Sequence, residues 1–559
     1  MSQPTAQPPA AAAQPAEQRV ERRQWLVLFT LALGLAIVII DGTIVNVAIP
    51  SIRKEFGATL QDLEWVNSVY SLIFAALIIT FGRVGDQIGR KRIFVAGVAT
   101  FVVGSLLAGL SSNISTLIMA RAIQGLGAAM TSPSTLSIIS GTFTGRMRGV
   151  AFGIWGGVAG AAAALGPLLG GWLTTNASWR WAFLINLPIG LLAVYGALRL
   201  IQESRDNSRK LTFDVPGIIF VGLGIGAVVF GLIEGQTHGW WAPKDVFALG
   251  GFTWPFTSIS VTPVSFAIGL LALAAFVVWE TRLQQRGGEP LFDFTLLRLR
   301  GFRFGLITVA IVALGEFGVI FVISLYLQGV IGLSAFATGV TFLPFALTTL
   351  VVAPTAGLLS ARFGPKWVVT AGMLLEAVAI FLISRVLTVD LSRLSLVLIL
   401  VVYGLGVGLA IAQLTSVVLS EVPPQRLGVA SGANNTIRQV GAALGIAIIG
   451  AVLTVQITAA AQAELDASKL LPPPLKAQIA QSIAGGGISE AQFTGPTTQP
   501  GAENSPVGKE ITRIFKDSFV SGARAAARTA SVFVFLGALS SLFIPNVMAR
   551  RRRTAVAPE

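Results

Sequence analysis

Long apolar runs, each followed by a short polar stretch, recur from residue 25 to residue 547. A helix rises 1.5 Å per residue, so about 20 such residues cross the hydrocarbon of a bilayer. Fourteen runs meet that length: 25–49, 65–82, 93–112, 115–140, 148–173, 181–201, 215–235, 263–281, 303–327, 337–360, 366–388, 395–419, 428–456 and 528–547. The pattern predicts an all-α polytopic membrane protein. Residues 1–24 read as a disordered cytoplasmic tail, because they are rich in Pro, Ala and Gln. The stretch 236–262, with Trp240, Trp241, Trp254 and Pro255, reads as an interfacial loop. The segment 457–527 reads as a loop of marginal order holding short amphipathic pieces such as 509–523.

Composition supports this pattern. Only 12% of residues are charged, against about 25% in soluble proteins. The net charge of +14 does not point to nucleic acid, since the basic residues sit in short segments between spans. With the N-terminus inside, the tails and even-numbered loops carry about 25 of the 40 Lys and Arg, as the positive-inside rule requires. Both termini are therefore expected in the cytoplasm, with the basic tail 548–559 on the inner face. The absence of cysteine and a single histidine, His238, leave no metal framework. No phosphate-cradling G-x-x-x-x-G-K-[ST] loop is visible, so no nucleotide or other cofactor is expected.

A repeat divides the chain. The loop after span 2 reads Gly82-Arg-Val-Gly85-Asp86-Gln-Ile-Gly89-Arg90-Lys91-Arg92, and the loop after span 10 reads Gly357-Leu-Leu-Ser-Ala-Arg-Phe-Gly364-Pro-Lys366. Gly82, Gly89 and Lys91 match Gly357, Gly364 and Lys366 at one offset, as a transporter of two related halves predicts. Glycine permits the tight reversal, and Asp86 suits a helix N-terminus, where the dipole favours an anion.

This loop resembles the signature loop of the major facilitator superfamily. Further segments resemble the fourteen-span drug:proton antiporters of the QacA/EmrB type within it. They are Asp41-Gly-Thr-Ile-Val-Asn46-Val-Ala-Ile-Pro50, Arg121-Ala-Ile-Gln-Gly-Leu-Gly-Ala-Ala129 and Gly166-Pro167-Leu-Leu-Gly170-Gly171. Then come Trp179-Arg-Trp181, Asn186-Leu-Pro-Ile-Gly190, Leu325-Tyr-Leu-Gln-Gly329 and Gly432–Gly445 around Arg438 and Gln439. The resemblance implies two six-helix bundles, 25–201 and 301–547, with two extra helices in 202–300. Spans 1, 4, 9 and 12 would line a central cavity, and spans 3, 6, 11 and 14 would lie outside. It also implies a monomer in a bacterial cytoplasmic membrane, exchanging small amphiphilic substrates for protons. Span 2 has Ser68 in Trp65-x-x-Ser68-x-Tyr70, where multivalent-cation exporters of that family carry a carboxylate; this lowers the case for a divalent-cation pump.

Ionisable groups inside hydrocarbon are costly and mark function. Asp41 lies about 8 residues, roughly 12 Å, from the outer end of span 1, and Arg121 roughly 9 Å from that of span 4. The two are expected to be neighbours, as a proton-coupling pair or as a static tie between helices. Glu316, roughly 21 Å into span 9, is expected to face the cavity as an acid for protons or a cationic substrate. Glu376 on span 11 is expected to be peripheral, packed or lipid-facing. Glu234 is expected at the interface. Arg438, Gln439, Asn434 and Asn435 give span 13 a polar face for hydrogen bonding or gating. Gly166-Pro167 is expected to bend span 5 as a hinge.

Overall fold

The structure is a computed structural model of the chain; it describes residues 22–58, 60–205, 214–249, 252–484 and 505–545. The first half runs through α1 (Arg22–Phe56), α2 (Leu60–Ile88), α3 (Arg90–Gly109), α4 (Ile114–Thr142), α5 (Gly145–Asn176) and the pair α6 (Trp181–Leu184) and α7 (Asn186–Leu200). Two inserted helices follow, α8 (Val215–His238) and α9 (Val261–Gln285). The second half comprises α10 (Arg300–Gly329), α11 (Ala335–Phe363), α12 (Pro365–Val386), α13 (Arg393–Ser420), α14 (Leu427–Ala467), α15 (Pro473–Ala484) and α16 (Pro506–Ser541).

Thirteen of the described spans are long and apolar enough to cross a membrane, counting α6 and α7 as one. The fourteenth, α4, is as long but carries a run of hydroxyls (Thr131, Ser132, Ser134, Thr135, Ser137 and Ser140), all buried. It packs against α2, α3 and α14, so protein and not lipid covers that polar face. Segment 457–527 departs from expectation. α14 continues to Ala467, α15 follows, and α16 starts at Pro506, so most of the segment's described part is helical. The reason is an apolar stripe: Leu465, Ile479, Ile511, Ile514, Phe515 and Phe519 bury one another beyond the spans. The 236–262 loop folds into a short antiparallel hairpin, Ala248–Leu249 with Phe252–Thr253, and Phe247 packs on Trp65 of α2.

The buried apolar residues show how the halves meet. Near the signature loop one continuous cluster crosses both halves, joining Leu136, Phe143 and Phe152 to Leu414, Val417 and Val429. Toward the opposite face the core separates into a first-half cluster (Ile44, Val66, Phe183) and a second-half cluster (Val322, Tyr403, Ile457). Along one side α5 and α11 stay closely packed, from Gly149 against Gly357 to Gly171 against Phe336. The inserted α8 and α9 pack on each other, and α8 also touches α2 and α14, beside the second seam between the halves.

Candidate functional site: buried charges and the closed face

The first charge cluster lies wholly inside the first half. Asp41 of α1 pairs with Arg121 of α4, and both side chains are shielded from solvent. Gln124 Nε2 and Asn186 Nδ2 donate to Asp41 Oδ1 at 2.7 and 3.0 Å, and both also reach Ser105 Oγ. Arg121 Nε donates to the Val66 carbonyl at 2.9 Å, and its guanidinium lies 4.3 Å from the Tyr70 ring centre. Three donors from α4 and α7 thus hold the Asp41 carboxylate, and α2 and α3 brace those donors. Asp41 is fully buried, so in this conformation it does not border open space. Gln124 was within reach of sequence reasoning, since it sits one helical turn from Arg121. Asn186 opens a quoted segment, but nothing in the pattern aimed it at Asp41. The side chain of Asn46 lies outside the described residues.

The second cluster belongs to the second half and borders open space. Glu316 of α10 and Arg438 of α14 line a narrow cleft, with about 20 Å³ of free volume in this conformation, together with Val312, Ile411, Leu414 and Asn434. The two charges are within electrostatic reach of each other. Asn434 Oδ1 and Asn435 Nδ2 have no hydrogen-bond partner among the described residues. Neither, therefore, serves as a fully satisfied interhelical bridge. Gln439, beside Arg438, is half-buried.

Glu376 is neither lipid-facing nor peripheral in its contacts. It is fully buried, because Gly372 and Gly406 let α12 and α13 approach until their backbones touch. Both its carboxyl oxygens and the nearby Tyr403 hydroxyl lack partners among the described residues. Glu376, Tyr403 and Glu316 lie within electrostatic reach of one another. Glu234 also departs from expectation: it is buried and lies 3.0 Å from His238, its neighbour one turn along α8.

The signature loop does its work across the halves. Asp86 Oδ1 accepts from the Gly428 amide at 2.9 Å and Oδ2 from the Val429 amide at 3.1 Å, so it caps α14 at its first turn. Arg90 holds the same carboxylate with Nε and Nη2 and also donates to the Pro424 carbonyl at 2.6 Å. Gly82 lies against the Gly428 backbone, leaving no room for a Cβ. Gly85 is buried against Ser134 of α4. Gly89 and its repeat partner Gly364 both adopt positive φ, 132° and 90°, at the joint between helices. Lys91 Nζ donates to the Leu198 carbonyl at 2.9 Å. On the symmetric seam Arg148 Nη2 donates to the Leu419 carbonyl at 2.9 Å. The signature-loop face is therefore shut along two seams.

A strap that sequence reasoning missed reinforces it. After α9, Glu289 pairs with Arg83 of α2 at 3.0 Å, and Asp293 pairs with Arg426 just before α14. The Thr295 hydroxyl donates to Asp293 at 2.6 Å. Burial pushes the Asp293 acid upward, but the Thr295 donors and the Arg426 charge outweigh it and hold the acid below its usual range. The inserted pair is thereby tied to both halves. The quoted Trp179-Arg180 segment has a structural role on the opposite face: both side chains donate to Glu55, at 2.7 and 2.6 Å.

The glycines of α5 make close helix contacts. Gly166 faces Thr43 of α1, Gly170 faces Ile44, and Gly171 faces Phe336 of α11. Pro167 sits inside α5, which remains one continuous helix.

Two halves of six spans related by a repeat, closed over a central cleft on one face, define a multi-pass membrane transporter architecture. The chain belongs to the Major Facilitator Superfamily, whose family model matches residues 31–216 and 215–446. It is 31% identical over 546 residues to the tetracenomycin C resistance and export protein of Streptomyces glaucescens, covering 97% of this chain and 96% of that one. It is 31% identical to the multidrug resistance protein Stp of Mycobacterium tuberculosis (strain CDC 1551 / Oshkosh), covering 92% and 90%. The puromycin resistance protein pur8 of Streptomyces alboniger is 34% identical over 78% of this chain and 83% of its own. Among solved structures, the human organic anion transporter MFSD10 shares the fold at a TM-score of 0.56 and 14% identity, covering 93% of this chain and 100% of that one.

Proposed function

We propose that the chain exports small amphiphilic compounds in exchange for protons, by alternating access across a bacterial cytoplasmic membrane with both termini in the cytoplasm. The observation that carries this reading is Glu316: an acid deep in a span, bordering a cleft with largely apolar walls. Such a wall binds amphiphiles by area, with few polar constraints, and an acid there is costly unless it is used. In the closed-face conformation Glu316 takes a proton, the substrate leaves, and the halves rock. The proton is then released on the signature-loop side. Glu376 and Tyr403 extend the proton-holding group behind it. Asp41 and Arg121 form the equivalent acid–base pair of the first half. It exchanges a proton only when Gln124 or Arg121 withdraws, which couples its titration to helix movement. Arg438 and Gln439 gate the cleft, and the Gly166-Pro167 and Gly170-Gly171 steps let α5 slide on α1. Each elementary charge entering supplies about 2.3 kcal/mol per 100 mV. The working unit is a monomer, since one chain holds both halves.

Dye uptake into inverted vesicles with an acid interior tests this. Uptake should collapse when the pH gradient is dissipated, and Glu316→Gln should lower the gradient-driven part at least about fivefold. Uptake indifferent to the gradient would end the proton-exchange reading. Full uptake in the variant would remove Glu316 from it. A second reading has support in the relatives named for tetracenomycin C and puromycin: a dedicated exporter of an antibiotic or other product of the host. Deleting the gene and profiling retained metabolites separates the two, because a dedicated exporter leaves one compound trapped.

A further inference from the structure

A second cavity is remote from the central cleft, and no transport step described above uses it. It is an open groove of about 430 Å³ where α16 meets the end of α12 and the outer part of α14. Thr388, Gln456, Asp517, Ser521, Arg524 and Arg528 line it. Two markers fix its depth. α12 has 22 residues, about 33 Å, so its end near Val386 marks the hydrocarbon boundary on the face opposite the signature loop. Arg524 Nε donates to the Leu387 carbonyl at 2.8 Å, placing it at that boundary. Counting back from Ser541 at the other end of α16 gives a similar level: Arg524 lies about 26 Å away and Arg528 about 20 Å. Arg528 is therefore one turn below the boundary, within the hydrocarbon.

Its neighbours show which way it faces. Val532, Phe535, Leu536 and Leu539 continue the same side of α16 and are exposed, as a lipid-facing stripe is. Arg528 is exposed at the head of that stripe and has no ion-pair or hydrogen-bond partner among the described residues. Arg524 keeps donors free beyond its one carbonyl bond. Asp517, the only acid lining the groove among the described residues, is already engaged by Arg513 at 3.1 Å. The groove is thus net positive, sits at headgroup level and has an apolar track beneath it. A guanidinium one turn deep snorkels toward the boundary and meets phosphate there.

We propose that this groove binds the phosphate of an anionic phospholipid in the leaflet opposite the signature loop, with its acyl chains along Val532, Phe535 and Leu539. Arg528 and Arg524 clamp the phosphate, and the surplus positive charge disfavours headgroups that carry their own ammonium. The site joins α12, α14 and α16, three helices of the second half, and bound lipid braces them.

Native mass spectrometry of the purified full chain, delipidated and then offered phosphatidylglycerol or phosphatidylcholine, tests the proposal. Phosphatidylglycerol should be retained preferentially and should raise the Tm more. Arg524→Gln with Arg528→Gln should cut its retention by about fivefold per arginine, while Lys509→Gln on the same helix should change nothing. Arg528→Gln alone serves if loss of the Leu387 tie prevents folding of the double variant. Equal retention of both lipids, or unchanged retention in the Arg528→Gln variant, would overturn the site. Displacement of the lipid by inorganic phosphate at equal concentration would also overturn it, showing a free-anion site instead.

Discussion

Asp86 holds together residues that are 342 positions apart. Its carboxylate caps α14, and removing a helix cap costs about 1 kcal/mol. Arg90 adds charge-assisted bonds to Oδ1 of the same carboxylate. Asp86→Asn keeps the shape but weakens both, so the closed face should open more often. Ser431 reports this. It is fully buried in the seam, and the chain has no native cysteine. In a Ser431→Cys background, maleimide labelling should rise roughly 5- to 30-fold with Asp86→Asn, the factor that one or two kcal/mol implies. Unchanged labelling would show that the cap does not govern the seam. Asp293 gives a pH-dependent counterpart. Its acid is held below the ordinary value, so the strap's stabilisation is complete above about pH 4 and is lost as pH falls through the folded value. Asp293→Asn should therefore lower the Tm at pH 7, by the equivalent of about 1.5–3 kcal/mol for bonds to a charged group. The deficit should shrink below about pH 4. The sequence announced Asp86 as a helix cap through its loop spacing. It gave no sign of Asp293, because an acid in a loop has no period, and its partner Arg426 lies far along the chain.

Among the elements, boundaries were legible wherever apolar runs ended at charge, and α10 at 300–329 against an expected 303–327 is typical. The failures have a physical origin. α16 was expected at 528–547 because Lys509, Arg513, Lys516, Asp517, Arg524 and Arg528 interrupt the apolar run, yet the helix starts at Pro506. Its first half is amphipathic and needs a partner that window hydropathy ignores: α14, extended to Ala467. For Glu376 the sequence left packed and lipid-facing positions open, for a related reason. Span order assigns a helix to the periphery but says nothing of which side faces inward, and Gly372 with Gly406 decide that. The extension should be held by its apolar stripe rather than by its visible ion pairs. Arg513 bonds Glu464, Glu510 and Asp517 but is largely exposed, and exposed pairs contribute about 0–1 kcal/mol. Phe515 is fully buried, and truncating such a ring costs about 3–5 kcal/mol. Phe515→Ala should therefore expose 473–484 and 505–520 to limited proteolysis, while Arg513→Ala should leave these helical stretches protected. The reverse ranking would mean that the ion-pair network, not packing, orders the extension.

At the scale of the whole molecule, the core is joined across the halves at one face and divided at the other. This is the geometry of a two-state machine caught in one state, because packed seams are bistable rather than continuously deformable. If export requires the seam between α4 and α14 to part, a covalent bond across it must stop turnover. Ser137 and Ser431 supply the place: their hydroxyl oxygens lie 3.3 Å apart, one on each half. Cysteines there need close by only about 1 Å to reach the S–S length of roughly 2 Å. With no other cysteine in the chain, the doubly substituted protein can form one intramolecular disulfide. Oxidation should abolish gradient-driven dye uptake, a reductant should restore it, and each single substitution should transport normally under both conditions. Oxidation consumes both thiols, so maleimide labelling should vanish and return on reduction, which verifies the bond. Transport that persists with the disulfide verified by mass would mean that substrate passes without the halves separating at this seam, and the rocking mechanism would fall with it.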